Sequence, residues 1–131
     1  MNIIKICGIA TLVVAAIFVF SACKKSTFVS VDAARFAEEV TRKGVQIVDV
    51  RTAAEFAEGH IPGAVNMDVN SPDFDQQITT LDTSKTVALY CRSGNRSKKA
   101  ARILAENGYQ VLELGTGFRG WVAAGKKAAK P

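Results

Sequence analysis

Apolar positions along the chain fall into two regimes. Ile6 to Cys23 carries no charge, and Ile9 to Phe20 is almost wholly aliphatic or aromatic. After Cys23 the apolar residues come in short runs and helical stripes separated by polar and glycine-containing breaks. Ser30 can cap a helix in which Phe36 and Val40 share a face and which Gly44 closes. Val45 to Val50 is an aliphatic run suited to a buried strand. Thr52-Ala53-Ala54-Glu55 has the spacing of a capping box, opening a short helix that Gly59 can end. His60-Ile61-Pro62-Gly63 reads as a turn and Ala64 to Met67 as a brief strand. Ser71-Pro72-Asp73 sets a cap, a first-turn proline and a carboxylate ahead of another helix. Thr86 to Tyr90 is a second buried strand, followed by a loop from Cys91 and a helix from about Asn95 to Asn107, closed by Gly108. Gln110 to Leu114 is a third clear strand, and Gly115, Gly117 and Gly120 predict a flexible turn before Trp121.

Buried strands alternating with helices predict an α/β domain, a mostly parallel sheet with helices on both faces. Ligand sites in such sheets lie beyond the carboxyl ends of the strands, and Cys91 sits there. With 131 residues the chain has room for one such domain.

The continuous apolar segment changes the picture of where that domain works. Lys5, the apolar stretch and the small residues of Phe20-Ser21-Ala22-Cys23 are the parts of a secretory signal, and the last four resemble a bacterial lipoprotein box. On that reading residues 1–22 are removed, Cys23 is lipidated and residues 23–27 form a linker. A domain over 28–125 and a basic tail over 126–131 follow. The expected location is the cell envelope, anchored to a membrane and facing the periplasm or exterior. Phe20 stands where such boxes usually carry leucine, and the alternative is an uncleaved anchor, since an apolar run of about 18 residues can just span a bilayer.

Loss of residues 1–22 removes Lys5 and no acid, so the net charge of +5 becomes +4. That surplus suits anionic substrates or an anionic membrane surface. It is not clustered enough for nucleic acid. Lys126, Lys127 and Lys130 lie in an Ala-rich end expected to be frayed and solvated.

Of three cysteines, Cys7 leaves with the signal and Cys23 is consumed by lipid, so Cys91 remains as a lone thiol. A lone cysteine is more often a small buried hydrophobe than a nucleophile. The loop Cys91-Arg92-Ser93-Gly94-Asn95-Arg96-Ser97 overturns that default. Backbone N–H groups of a tight turn allowed by Ser93 and Gly94 can converge on an anion, and the following helix points its positive end at the same place. Arg92 and Arg96 add full charges and forks for an anionic substrate. Together these should hold the thiol below its ordinary pKa, as at other helix starts.

Val48-Asp49-Val50-Arg51, Glu55-Phe56, Gly59 to Asn66, and Tyr90 to Ser97, with Gly108-Tyr109 and Leu114-Gly115 to Trp121, together resemble a single-domain rhodanese over about residues 28–125. Thr116 departs from the pattern, standing where the family often has a second consecutive glycine. The resemblance implies a central, mostly parallel five-stranded sheet with helices on both faces. It also implies a monomer that uses no metal or organic cofactor. Cys91 would take the outer sulfur of thiosulfate or a similar small anionic donor, release sulfite, and pass the sulfur to cyanide or a thiol by ping-pong covalent catalysis. A second reading is a persulfide carrier that delivers sulfur to a partner protein with little thiosulfate turnover. Cysteine phosphatases and arsenate reductases of related fold use Cys-x5-Arg. Here the spacing is Cys-x4-Arg with Ser97 at the phosphatase arginine position, a smaller cradle suited to one sulfur atom.

The remaining candidates have supporting roles. Asp49 and Arg51 can orient the loop or pair with each other. Ser97 can cap the helix or hydrogen-bond the loop. His60, the one histidine, fixes a turn, and one histidine with one available cysteine cannot supply a usual metal ligand set. Trp121 is core packing.

Overall fold

The structure is a computed structural model that describes residues 27–131. The expected signal over residues 1–22, Cys23, and all of the expected 23–27 linker but Thr27 lie outside the described residues. Five strands form one parallel sheet in the order β1-β5-β4-β2-β3, with β1 Val29–Val31, β2 Gln46–Asp49, β3 Val65–Asn66, β4 Val87–Tyr90 and β5 Val111–Leu114. Among the described residues five helices accompany it: α1 Ala33–Glu39, α2 Ala53–Glu58, α3 Phe74–Gln77, α4 Asn95–Glu106 and α5 Gly117–Ala123. A 3-10 turn, Ile78–Thr80, extends α3.

The alternation along β4 sorts the core into two layers. Val87, Leu89 and Cys91 pack with Val48, Val50 and Val111 under α3 and α4, where Phe74, Ala100, Ala101 and Leu104 close that face. Ala88 and Tyr90 point the other way, to Phe36 of α1 and Trp121 of α5. Phe36 is fully buried and meets both Tyr90 and Trp121 edge-on, with ring centroids 6.4 and 6.1 Å apart. All four residues of β4 are buried, as a strand covered on both faces requires.

The chain leaves β2 outward to the edge at β3, crosses back past β2 to β4, and continues in that direction to β5, so the connections leaving β2 and β4 run opposite ways. The crevice between the carboxyl ends of β2 and β4 is therefore the point where strand order reverses, and such crevices are where open α/β sheets bind ligands. Cys91 follows β4 at that crevice.

Local signals explain several boundaries. The Thr52 capping box is formed in full, with Glu55 N–H donating to Thr52 Oγ1 at 3.2 Å and the Glu55 side chain reaching back to the Thr52 N–H at 3.5 Å. Gly59 closes α2, and Gly108 follows α4 with φ +88°.

Four expectations are corrected. Ser30 does not cap a helix; it lies within β1, and Asp32 caps α1 by accepting the Arg35 N–H at 2.9 Å. The Ser71 motif starts α3 only at Phe74, because Ser71 uses its side chain to take the Asp73 N–H and its carbonyl to take the Phe74 N–H. The glycine-rich stretch after β5 is not a loose turn. Gly117 begins α5, and its first N–H groups are tied down, Phe118 N–H to Cys91 C=O at 2.8 Å and Arg119 N–H to Arg92 C=O at 3.0 Å. Thr116 itself has φ −89° and ψ −5°, which any residue adopts, and its side chain fills the space that a Cβ on Gly120 would need.

The C-terminal tail is the fourth. Its lysine side chains are solvated, but its backbone is docked: Ala129 and His60 exchange N–H to C=O bonds of 2.8 and 2.9 Å, and Trp121 Nε1–H donates to Lys127 C=O at 2.7 Å. His60 stacks on Phe56 at 3.7 Å and holds its turn through Nδ1 and the Phe56 carbonyl, 2.9 Å apart. Trp121 is thus both core and clamp.

Removing the ring at the centre of the second layer should be expensive. Phe36→Ala is expected to lower stability by about 3–5 kcal/mol, read as a shift in urea midpoint at unchanged slope.

Candidate active site

Cys91 leaves the end of β4 and is 1% exposed. A buried thiolate has no water to solvate it, so its surroundings decide its charge. Gly94 N–H donates to Cys91 Sγ at 3.1 Å, and Ser97 Oγ lies 3.4 Å from the same sulfur. Burial is the largest influence on the thiol and opposes ionisation. The Ser97 hydroxyl and the backbone N–H groups of Ser97, Gly94 and Ser93 together outweigh it, and the pKa lies below its ordinary value. The start of α4 and the tight turn therefore act on the sulfur as amide dipoles.

The turn closes because Gly94 adopts φ +104°, a left-handed conformation, with the Gly115 carbonyl where a Cβ would stand. Gly117, at φ +66°, abuts the Arg92 carbonyl in the same way. Any side chain at either glycine would push the two turns apart.

The loop arginines divide. Arg92 is exposed at the rim and, among the described residues, makes no ion pair. Arg96 does not turn its fork to the mouth of the loop; both terminal nitrogens bind Glu55 of α2, at 2.7 and 2.9 Å. By its near neighbours Glu55 serves the cap, whereas its second partner comes from 41 residues away. The Arg96 guanidinium holds the Glu55 carboxyl down at about 2. Asn95 and Ser93 are exposed, and Ser97 is fully buried.

Asp49 and Arg51 pair with each other at the end of β2. Arg51 Nη2 reaches Asp49 Oδ2 and the Gly59 carbonyl, each at 2.6 Å, while its guanidinium lies over the Phe118 ring at 4.5 Å. Asn66 Nδ2 donates to the carbonyls of Asp49 and Arg51, at 3.0 and 2.9 Å, and fixes that strand end. A pocket of about 360 Å³ opens beside Arg92, with Arg51, Glu55, Glu58, Phe118 and Arg119 also on its wall.

Three neighbours of the loop do not stand out in the sequence: Arg119, Lys98 and Glu113. Glu113 is fully buried behind Ser97, and its signal was an acid inside the apolar run Val111-Leu112-Glu113-Leu114. Such an acid needs polar partners.

The Glu55–Arg96 pair generates a pH test. Because folding lowers the Glu55 pKa, its contribution is fully present above the unfolded value of about 4.3 and is lost as pH falls toward about 2. Gln preserves the capping box but not the charge. The stability difference between wild type and Glu55→Gln, from urea unfolding, should be greatest near pH 6–7 and shrink steadily below about pH 4.5.

Comparison with known proteins agrees with this geometry. Residues 32–124 match the family model described as Rhodanese-like domain. The chain is 33% identical over 97 residues to thiosulfate sulfurtransferase GlpE of Shewanella oneidensis, covering 73% of this chain and 94% of that protein. It is 35% identical over 88 residues to a sulfurtransferase of Allochromatium vinosum, covering 66% and 80%. The crystal structure of a rhodanese-related protein from Thermoplasma volcanium superposes with a TM-score of 0.72 at 25% identity, covering 79% of this chain and all of that one. With Cys91 cradled at the switch point of a five-stranded parallel sheet, the chain belongs to the rhodanese-like sulfurtransferase family.

Proposed function

We propose that the protein transfers sulfane sulfur from thiosulfate or a similar donor, through a persulfide on Cys91, to cyanide or a thiol. The observation that carries this reading is the single sulfur atom held by the Gly94 N–H and Ser97 at the start of α4. Such a cradle lowers the charge penalty of a thiolate and, after transfer, of a persulfide anion. The GlpE relative, named a thiosulfate sulfurtransferase, supports the choice of donor.

Cys91 attacks the outer sulfur, sulfite departs with the electrons of the broken S–S bond, and the acceptor then removes the outer sulfur in a second displacement. Arg92 draws the dianionic donor to the rim, and Arg119 faces the same pocket. Ser93, Gly94 and Asn95 shape the turn. Arg96, joined to Glu55, braces α4 against α2 rather than meeting the donor on its own. The Asp49–Arg51 pair holds the opposite wall. Delivery to a partner protein instead of a small acceptor is the rival reading, and we place the domain at the cell envelope through a lipid on Cys23.

Intact mass of the domain should rise by one sulfur after thiosulfate treatment, return to its starting value with cyanide, and stay unchanged in Cys91→Ser. Absence of both adduct and thiocyanate would sink the proposal, whereas an adduct that small acceptors cannot discharge would favour the carrier. Arg92→Ala should raise KM for thiosulfate about fivefold with kcat little changed, the effect of about 1 kcal/mol from one exposed cation. Mass spectrometry of the mature N-terminus from the native host should find lipidated Cys23. An intact Met1 would instead indicate an uncleaved anchor.

A further inference from the structure

Behind the sulfur runs a chain of polar atoms that the two-step transfer does not itself require. Ser97 Oγ stands 3.4 Å from Cys91 Sγ on one side and 2.5 Å from Glu113 Oε2 on the other. The Glu113 carboxyl is wholly buried and, among the described residues, is otherwise met only by donors, the Ser30 hydroxyl at 2.6 Å and the Lys98 ammonium at 3.3 Å. A hydroxyl that donates to Glu113 presents a lone pair to its other neighbour, and the Cys91 thiol is placed to donate into it. Cys91, Ser97 and Glu113 are thereby in series.

We propose that Glu113 receives the Cys91 proton through Ser97 as Cys91 attacks sulfur, a proposal that rests on the nucleophilic role assigned to Cys91 above. As the new S–S bond forms, the Cys91 S–H bond breaks and its proton passes to Ser97 Oγ. The hydroxyl's own proton passes to Glu113 Oε2. The donor's S–S bond breaks with its electron pair leaving on sulfite, so Cys91 sulfur is oxidised and the departing group is reduced. The persulfide stays anionic and Glu113 becomes neutral, so total charge is unchanged. Ser97 now donates toward the sulfur instead of accepting from it. When the acceptor takes the outer sulfur, Cys91 leaves as thiolate and regains the proton along the same path.

The relay solves an electrostatic problem. Glu113 and a thiolate are separated by one hydroxyl inside a buried layer, and two like charges so placed disfavour each other. Moving the proton between them lets one negative charge change places without a second appearing. Of the charged groups around the pair, one touches it and the others do not. Lys98 of α4 binds Glu113 and the Gly94 carbonyl; Arg96 is committed to Glu55 of α2, and Arg51 to Asp49 at the end of β2. Arg92 in the loop and Arg119 on α5 lie on the pocket side, and β1 contributes only the neutral Ser30.

The test is the pH dependence of Cys91 alkylation by iodoacetamide, which needs no sulfur donor. In wild type the rate should level off to a plateau on the acid side of its pH profile instead of falling with the thiolate fraction, because the Cys91 proton has Glu113 to go to. In Glu113→Gln the plateau should vanish and the rate at pH 5.5 fall about tenfold. Ser97→Ala should do the same, and the double variant should be no slower than either single one. A carboxylate that only adds negative charge has the opposite sign: its removal eases ionisation, so an unchanged or faster rate in Glu113→Gln overturns the relay. So does a wild-type profile with no plateau. If Glu113→Gln does not fold by circular dichroism, Ser97→Ala decides alone, because a plateau that survives it excludes the path. Sulfur loading from thiosulfate, measured in parallel, separates the two ideas. Loading without a plateau rejects only the relay, and a plateau without loading rejects only the transferase reading.

Discussion

The structure turns on one constraint: a sulfur atom closed off from water must find all of its stabilisation in the protein. The loop meets it by being gripped from behind. The carbonyls of Cys91 and Arg92 are taken by the first N–H groups of α5, which leaves the loop's own N–H groups to face inward at the sulfur. That grip demands close approach of two backbones, and Gly94 and Gly117 supply it by leaving no Cβ in the way. The fold behind the loop serves the same end. A strand buried on both faces delivers Cys91 to the crevice, and α4 starts where its dipole can act on it.

Around this centre the charges are largely spent on one another. Asp49 with Arg51 and Glu55 with Arg96 are tight, partly or fully buried pairs that tie the end of β2 to the turn at Gly59, and α2 to α4. A pair of this kind stabilises only through its geometry, because desolvation offsets much of the attraction. Its clearer effect is to hold the walls of the pocket at fixed spacing. The long-range pull on an anion is left to Arg92 and Arg119 at the mouth.

The parts of this arrangement legible in the sequence are those carried by near neighbours. The capping box at Thr52, the buried β4 and the span of α4 all follow from residues within a few positions of one another. What escaped depends on distant partners. β1 is three residues long with two of them exposed, so its identity comes from pairing with β5, and Ser30 in isolation looks like a cap. The N–H groups that order Gly117 onward find their acceptors in the Cys91 loop, so glycines that suggest slack instead begin a helix. Arg96 reads as an anion binder until Glu55 arrives from another helix. Glu113 reads as an anomaly until α4 is seen to bring Ser97 and Lys98 over it.

The sheet is parallel throughout, and this gives the domain two unlike poles. The chain comes in to β1 at the amino ends of the strands, whereas Cys91 lies at their carboxyl ends. A tether joined a few residues ahead of Val29, such as the lipid we propose on Cys23, would therefore hold the domain by its base and turn the reactive loop outward. Sulfur would then be exchanged with the surrounding fluid, not with the surface to which the protein is fastened.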